Sequence, residues 1–346
     1  MMNPACSPGC IVCQRGEWLC IFLTYLCSAN CSSCPAPFKG EDRIVSSLGS
    51  NPQEIAAHLS QARFSGIAFS GGDCFLVYDR LLAWLSFFRD RFSGYYYWAY
   101  TNGLQVTESQ LRALAERGLN EIRFNIAASG YDSSQVIRLI KTASTLFDHV
   151  TVEIPAIPED IDRVMKVLPN LARAGVHYLN LHEFFLTERE RPFKLMFARR
   201  HVFNEVSELW YDERSRSTMR KIQNFCRREK IPISIHQCTR KRKDTQMRKR
   251  RQTMGRLLQK PWERLASGGF LETFLAIPDS LSAEECLSLL EKEGGLEMLE
   301  QLFINPARLR RTADFPGRLY RLSFLPPLEI GGERTLLRYE RLIERG

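Results

Sequence analysis

Apolar and polar positions alternate along the first half of the chain in two rhythms. Short runs rich in β-branched and aromatic residues at 18–26, 66–70 (GIAFS), 95–101 (YYYWAYT), 121–127 (EIRFNIA), 149–155 (HVTVEIP) and 177–184 (HYLNLHEF) predict strands. Between them lie stretches with apolar residues at helical spacing: 51–64, 78–92, 107–118, 131–147 and 158–175. Asn51 with Pro52 and Thr107 stand where helices begin, and Gly118 and Gly175 where they end. Strict alternation of strand and helix predicts a parallel sheet with helices outside, as an open doubly wound sheet or a barrel. In both, functional residues belong at the C-terminal ends of the strands. The polar residues obey that rule. Cys27 follows the first strand, SGGD (70–73) the second and TNG (101–103) the third; Asn125 and Ser129 end the fourth, Glu153 lies near the end of the fifth, and Asn180, His182 and Glu183 end the sixth.

From about 188 the pattern changes. Residues 200–229 read as helical and charged, 231–239 (IPISIHQCT) as a short strand, and 268–346 as a small α+β appendage. The expected divisions are a cysteine-rich arm at 1–17, a barrel with a helical extension at 18–239, a basic segment at 240–267 and the appendage at 268–346.

Charge and cysteine usage sharpen this picture. The net charge is +9, and 240–251 (RKRKDTQMRKRR), with eight basic residues and one acid, holds +7 of it. That run suits a polyanion such as RNA, or a solvated basic helix. It contains no aromatic residue, which weakens a single-strand-binding reading. Seven of the 11 cysteines lie in the first 34 residues, which argues against a spread disulfide framework and for metal chemistry in a reducing compartment. The N-terminus has no charged and apolar leader pattern, and 18–26 is about half a membrane span. A cytoplasmic protein without membrane contact is the expectation.

Cys27, Cys31 and Cys34 stand at C-x3-C-x2-C spacing directly after the first strand. Structural zinc and an ordinary 4Fe-4S cluster each want four ligands, so three thiols mean a distant fourth partner or an open metal position. The loop, followed by SGGD and YTNG at successive strand ends, resembles the radical SAM superfamily. More narrowly, SPGCIVCQRGEWLCIFLTYLC, EIRFN, VEIPAIP, YLNLHE and the HQCT run resemble uncharacterised radical SAM proteins related to pyruvate formate-lyase activating enzymes.

That resemblance implies a partial (βα)6 TIM-like barrel in the α/β class. It implies a 4Fe-4S cluster on Cys27, Cys31 and Cys34, with S-adenosylmethionine (SAM) on the fourth iron. Reductive cleavage would then give a 5′-deoxyadenosyl radical acting on a protein, peptide, RNA or metabolite. An electron donor such as ferredoxin or flavodoxin is implied as a partner. Gly71, Gly72 and Asp73 would hold the methionine amino group, with Thr101 and Asn102 beside SAM; Asn125 and Ser129 would reach its ribose or carboxylate, Glu153 the ribose, and the backbone at Leu181 the adenine. Ser33 stands where the superfamily usually has an aromatic residue, and Phe38 is the candidate to cover that face.

Cys6, Cys10 and Cys13 repeat the C-x3-C-x2-C spacing, and Cys20, His236 and Cys238 are available to complete a second site for zinc or an auxiliary Fe–S cluster. Cys74, Cys226 and Cys286 read as buried, inert thiols. The reading from another class is a non-catalytic, zinc-containing, basic nucleic-acid-binding protein. It has no use for SGGD and YTNG.

Overall fold

The computed structural model describes residues 6–343 apart from 32, 35, 37, 38, 189, 190, 204–206, 291, 293, 294, 309–316 and 327–334. Phe38 therefore lies outside the described residues. The chain forms two compact units, one of residues 1–57 and 64–247, the other of 58–63 and 248–346.

The first unit begins with a helix, α1 (Pro8–Arg15). Ser7 caps it by accepting from the Cys10 N–H, Pro8 sits at its first position, and Gly16 ends it in the left-handed region at φ 76°. The cysteine-rich segment is thus a helix as far as it is described. There follow β1 (Trp18–Thr24), β2 (Val45–Ser46), α2 (Pro52–Leu59), β3 (Gly66–Gly71), α3 (Tyr78–Arg91), β4 (Tyr96–Thr101), α4 (Glu108–Glu116), β5 (Glu121–Phe124), α5 (Ser134–Leu146), β6 (His149–Pro155), α6 (Ile161–Arg173) and β7 (Tyr178–His182). Every strand and helix that the pattern predicts here is present. Asn51 accepts from the Glu54 N–H at the start of α2, and Thr107 and Gln110 form a capping box on α4. β5 stops short of the expected 127 because the Asn125 side chain takes the Ala127 N–H and opens a 3-10 turn over Ile126–Ser129.

Two expectations are corrected. Residues 198–203 and 207–212 are not helical. β8 (Phe185–Leu186), β9 (Ala198–Phe203) and β10 (Ser207–Asp212) form a three-stranded antiparallel sheet, and only α7 (Ser215–Arg228) is helix. Val202, Phe203, Trp210 and Tyr211 there are residue types that favour strands, among charged neighbours that suggested a solvated helix. The main sheet also has more strands than the six expected. β11 (Ser234–Cys238) pairs parallel with β7, giving the order β11-β7-β6-β5-β4-β3-β1-β2, in which all neighbours are parallel except the short antiparallel β2. Among the described residues seven strands run parallel, and the sheet order has β11 at one end and β2 at the other.

Register decides what the sheet presents. Leu19, Ile21, Ile67, Phe69, Tyr97, Ile122, Phe124, Val150, Val152 and Leu179 are fully buried on one row of positions. The alternate positions, Trp18, Cys20, Ala68, Trp98, Tyr100, Arg123, Glu153, Asn180, His182, His236 and Cys238, line a cavity of about 200 Å³. α1 lies on this second face, its Val12 packed with Ala68 and Trp98.

The basic run is one helix, α8 (Arg240–Leu258). The second unit carries a sheet of β12 (Arg264–Leu265), β13 (Leu271–Ile277), β14 (Phe303–Ile304), β15 (Arg318–Leu325) and β16 (Thr335–Ile343). Its core, with Leu271, Leu275, Ile277, Leu322 and Phe324, is backed by α9 (Ala283–Leu289) through Cys286. This is an α+β unit.

Candidate functional site

The ends of β1, β3 and β4 are tied together by one buried carboxylate. β3 ends at Gly71 with φ 134°, a conformation that favours glycine, and a Cβ there would land on the Thr24 carbonyl. A Cβ on Gly72 would land on the carbonyl of Leu26, the residue before Cys27. The close approach is held by Gly72 N–H donating to Thr24 O and Asp73 N–H to Leu26 O, both at 2.8 Å. The two glycines therefore let the second motif lie against the backbone that launches the cysteine loop.

Asp73 is fully buried. Its carboxylate accepts from the Thr101 hydroxyl (3.0 Å to each oxygen), the Asn102 N–H (3.0 Å) and the Phe75 N–H (3.0 Å). Burial pushes its carboxyl up, opposed by those hydrogen bonds. Asn102 continues the chain of contacts. Its side-chain N–H groups reach the Ser28 hydroxyl at 3.0 Å and the Cys27 sulfur at 3.6 Å. The three motifs that the sequence placed on successive strand ends are thus one hydrogen-bonded unit. Thr101 and Asn102 are both buried within it. Ser28, which no sequence argument singled out, is its link to the loop.

Cys27 is exposed and Cys31 and Cys34 half-buried. Burial pushes the Cys31 thiol up, and the Cys34 and Cys27 sulfurs nearby add to the shift. Three cysteine sulfurs on one loop are a donor set whose chemistry suits iron or another thiophilic metal. Asn125 is exposed at the end of β5, and the Ser129 hydroxyl donates to Ile126 O. Both now serve the 3-10 turn and stand at the same rim.

Leu181 and Glu153 stand in the neighbouring strands β7 and β6. Leu181 is paired on both sides, opposite Ile154 of β6 and Gln237 of β11. Glu153 faces the cavity with its oxygens engaged, accepting from Arg123 at 2.8 Å and Asn180 at 3.0 Å, with His182 Nε2 at 2.8 Å. Burial alone would push its carboxyl up; the His182 and Arg123 contacts outweigh that and hold it well below the usual range. Burial and Lys243 push His182 down, opposed by Glu153.

Arg123 is the hub that sequence reading missed. It is 3% exposed and contacts Glu121 (2.8 Å), Glu153, the Tyr100 hydroxyl (3.1 Å) and the Ser7 hydroxyl (3.2 Å). Glu121 in turn accepts from Thr151 (2.7 Å) and the Gly9 N–H (3.2 Å), which seats α1. The signal was present: Glu121 and Arg123 are charges two apart in a strand, hence on one face.

Of the second cysteine group, Cys10, Cys13, Cys20 and Cys238 line the cavity, with His236 beside them. Cys6 is not among the lining residues, and its sulfur accepts from Gln14 Nε2 at 3.4 Å. Cys74, Cys226 and Cys286 are buried. Among the described residues no three His, Cys, Asp or Glu side chains stand close enough to hold a metal as they lie, Cys27, Cys31 and Cys34 included. No helix among them is long and apolar enough to cross a membrane.

Residues 15–134 match the model of a family described as a 4Fe-4S single cluster domain. A Methanocaldococcus jannaschii protein, provisionally named a glycyl-radical enzyme activating enzyme, is 25% identical over 315 residues, 86% of this chain and 81% of that protein. Among solved structures, Streptococcus suis SuiB bound to S-adenosylmethionine overlaps 64% of this chain and 50% of its own at 11% identity and TM-score 0.47. SuiB bound to the precursor peptide SuiA overlaps 64% and 48% at the same identity and score. The chain thus spans about half the length of SuiB. The family match and the likeness over most of the archaeal protein bear out the resemblance to radical SAM proteins related to pyruvate formate-lyase activating enzymes.

Proposed function

With the chain a radical SAM enzyme of the activating-enzyme type as premise, we propose that it cleaves SAM reductively at a 4Fe-4S cluster held by Cys27, Cys31 and Cys34, to modify a protein or peptide. The observation that carries this reading is the Asp73 network, which joins Gly72, Thr101 and Asn102 to the sulfur of Cys27. When bound, the cluster and SAM supply the electron transfer and the 5′-deoxyadenosyl radical. The chain's own residues do the positioning. Gly71 and Gly72 keep the strand end flat against Thr24 and Leu26, leaving room beside the thiols for the methionine end of SAM. Asp73, with all its oxygens engaged, holds that loop rigid and acts as a positioning residue. Asn102 donates to Cys27 and steadies a thiolate. Asn125 and Ser129, at the neighbouring rim, are proposed to reach the ribose or carboxylate, and Glu153 to take part through the Arg123–His182 network. The electron donor is proposed to be a ferredoxin or flavodoxin. A second metal, zinc or an auxiliary Fe–S cluster, is proposed for the N-terminal thiols, independently of SAM cleavage.

A protein substrate is favoured over RNA by two observations. The archaeal relative's name concerns activation of an enzyme. The basic run is also partly built into the fold: Arg240 pairs with Glu183, Lys243 lines the cavity, and Arg250 and Arg251 are buried. Lys241, Arg242, Arg248 and Lys249 stay exposed, so the run offers a phosphate backbone fewer than its eight cations, which weakens the reading of a non-catalytic nucleic-acid-binding protein.

The test is formation of 5′-deoxyadenosine by anaerobically reconstituted protein given dithionite and SAM. Product from the wild type, and none from a Cys27→Ala, Cys31→Ala, Cys34→Ala variant, supports the reading. Colourless, zinc-bearing protein that makes no product under these conditions overturns it.

A further inference from the structure

We propose that Cys10, Cys13 and Cys238 hold a thiolate metal centre, zinc or iron–sulfur, inside the cavity of the first unit. This deepens the reading of a second metal and does not rest on SAM cleavage. Cys10 and Cys13 are three apart in α1, so they share the helix face turned to the sheet. Cys238 ends β11 on the cavity row, two residues from His236. All four side chains line the same cavity. Cys10 and Cys238 are each 5% exposed, so these thiols are not a solvent-facing arm.

The second observation is an unpartnered hydrogen. The Arg242 guanidinium lies 3.0 Å from His236 Nδ1. Arginine can only donate, so Nδ1 accepts and the hydrogen of the neutral ring sits on Nε2. That Nε2 is buried, lines the cavity through a side chain 3% exposed, and has no hydrogen-bond partner among the described residues. An N–H in such a place calls for an acceptor, and a thiolate or sulfide sulfur supplies one. His236 is therefore assigned as a donor to sulfur and not as a ligand. Asn180 already does the same from the other side, its Nδ2 lying 3.6 Å from the Cys10 sulfur.

Arg123 and Lys243 line the cavity, so two cations face the sulfurs, with Glu153 and the buried Glu121 paired to Arg123. Cys20, which lines the same cavity from β1, or a non-protein ligand takes the remaining position of a tetrahedral zinc or the fourth iron of a cubane. Closing the site needs side-chain rotation, as the cluster loop does.

The experiment uses the full chain with Cys27, Cys31 and Cys34 all changed to Ala, purified without air, with zinc, iron and acid-labile sulfide measured per chain. About one centre per chain is expected, as zinc or as iron with matching sulfide. Adding Cys10→Ser, Cys13→Ser and Cys238→Ser removes it, while adding Cys6→Ser leaves it. Metal-free protein that is folded by circular dichroism overturns the proposal, and so does metal that survives the three serine changes. Should the three-serine variant not fold, Cys238→Ser alone in cobalt-substituted protein decides. A weakened sulfur-to-cobalt absorption supports the site, and an unchanged one overturns it.

Discussion

Asp73 shows how one side chain carries an arrangement spread over three strands. Its carboxylate satisfies two backbone N–H groups and one hydroxyl in a place water does not reach. Asp73→Ala strands all three, at about 1–3 kcal/mol for each buried group left unpaired. The expected outcome is a large fall in the urea midpoint together with loss of iron from Cys27, Cys31 and Cys34. Asp73→Asn keeps an acceptor and should recover part of both; equal loss in the two variants would contradict the account. Glu153 makes a pH prediction. Its carboxyl is held low in the folded chain, so the stability it adds is complete above the unfolded pKa of about 4.3 and is lost as pH falls through the lower folded value. In denaturation curves the gap between wild type and Glu153→Gln should be constant near neutrality and shrink on the acid side. A gap that widens there would be the wrong sign.

At the scale of elements, α1 is held by polar contacts more than by a broad apolar face. Gly9 donates to Glu121 and Ser7 meets Arg123, whose guanidinium lies over Trp98 at 5.2 Å and Tyr100 at 5.3 Å. Arg123→Met leaves Glu121 and Glu153 buried without their cation. A cost of about 3–5 kcal/mol is expected, since breaking a buried pair from one side leaves an uncompensated charge. Amide hydrogen exchange should then rise first in Pro8–Arg15; unchanged exchange there would show that the helix is held by something else. Local rules set the remaining helices. The capping box of α4 is legible as Thr107 with Gln110 three residues on, and it is formed. The β9–β10 pair was not legible, because its charged positions imitate a solvated helix and its partner strands are set by contact rather than by propensity.

For the whole molecule, a net charge of +9 suggests a polyanion partner until burial is counted. With Arg250 and Arg251 buried and Arg240 paired, fewer than the eight cations of 240–251 can meet phosphates. Binding to single-stranded RNA should therefore show a salt slope well below the roughly −6 that eight contacts would give. A slope that steep would return RNA to the substrate question. The cysteine loop, SGGD, TNG and the alternation of strands and helices were readable by themselves, because periodicity and motif spacing are local properties of the chain. Three things were decided only by tertiary structure. β11 joins the sheet beside β7, since strand pairing is non-local. Asp73 and Glu153 turn inward to protein partners, because burial leaves carboxylate oxygens no water to bind. Cys10 and Cys238, 228 positions apart in the sequence, meet at one cavity while Cys6 does not line it, because helix and strand periods choose which side chains share a face.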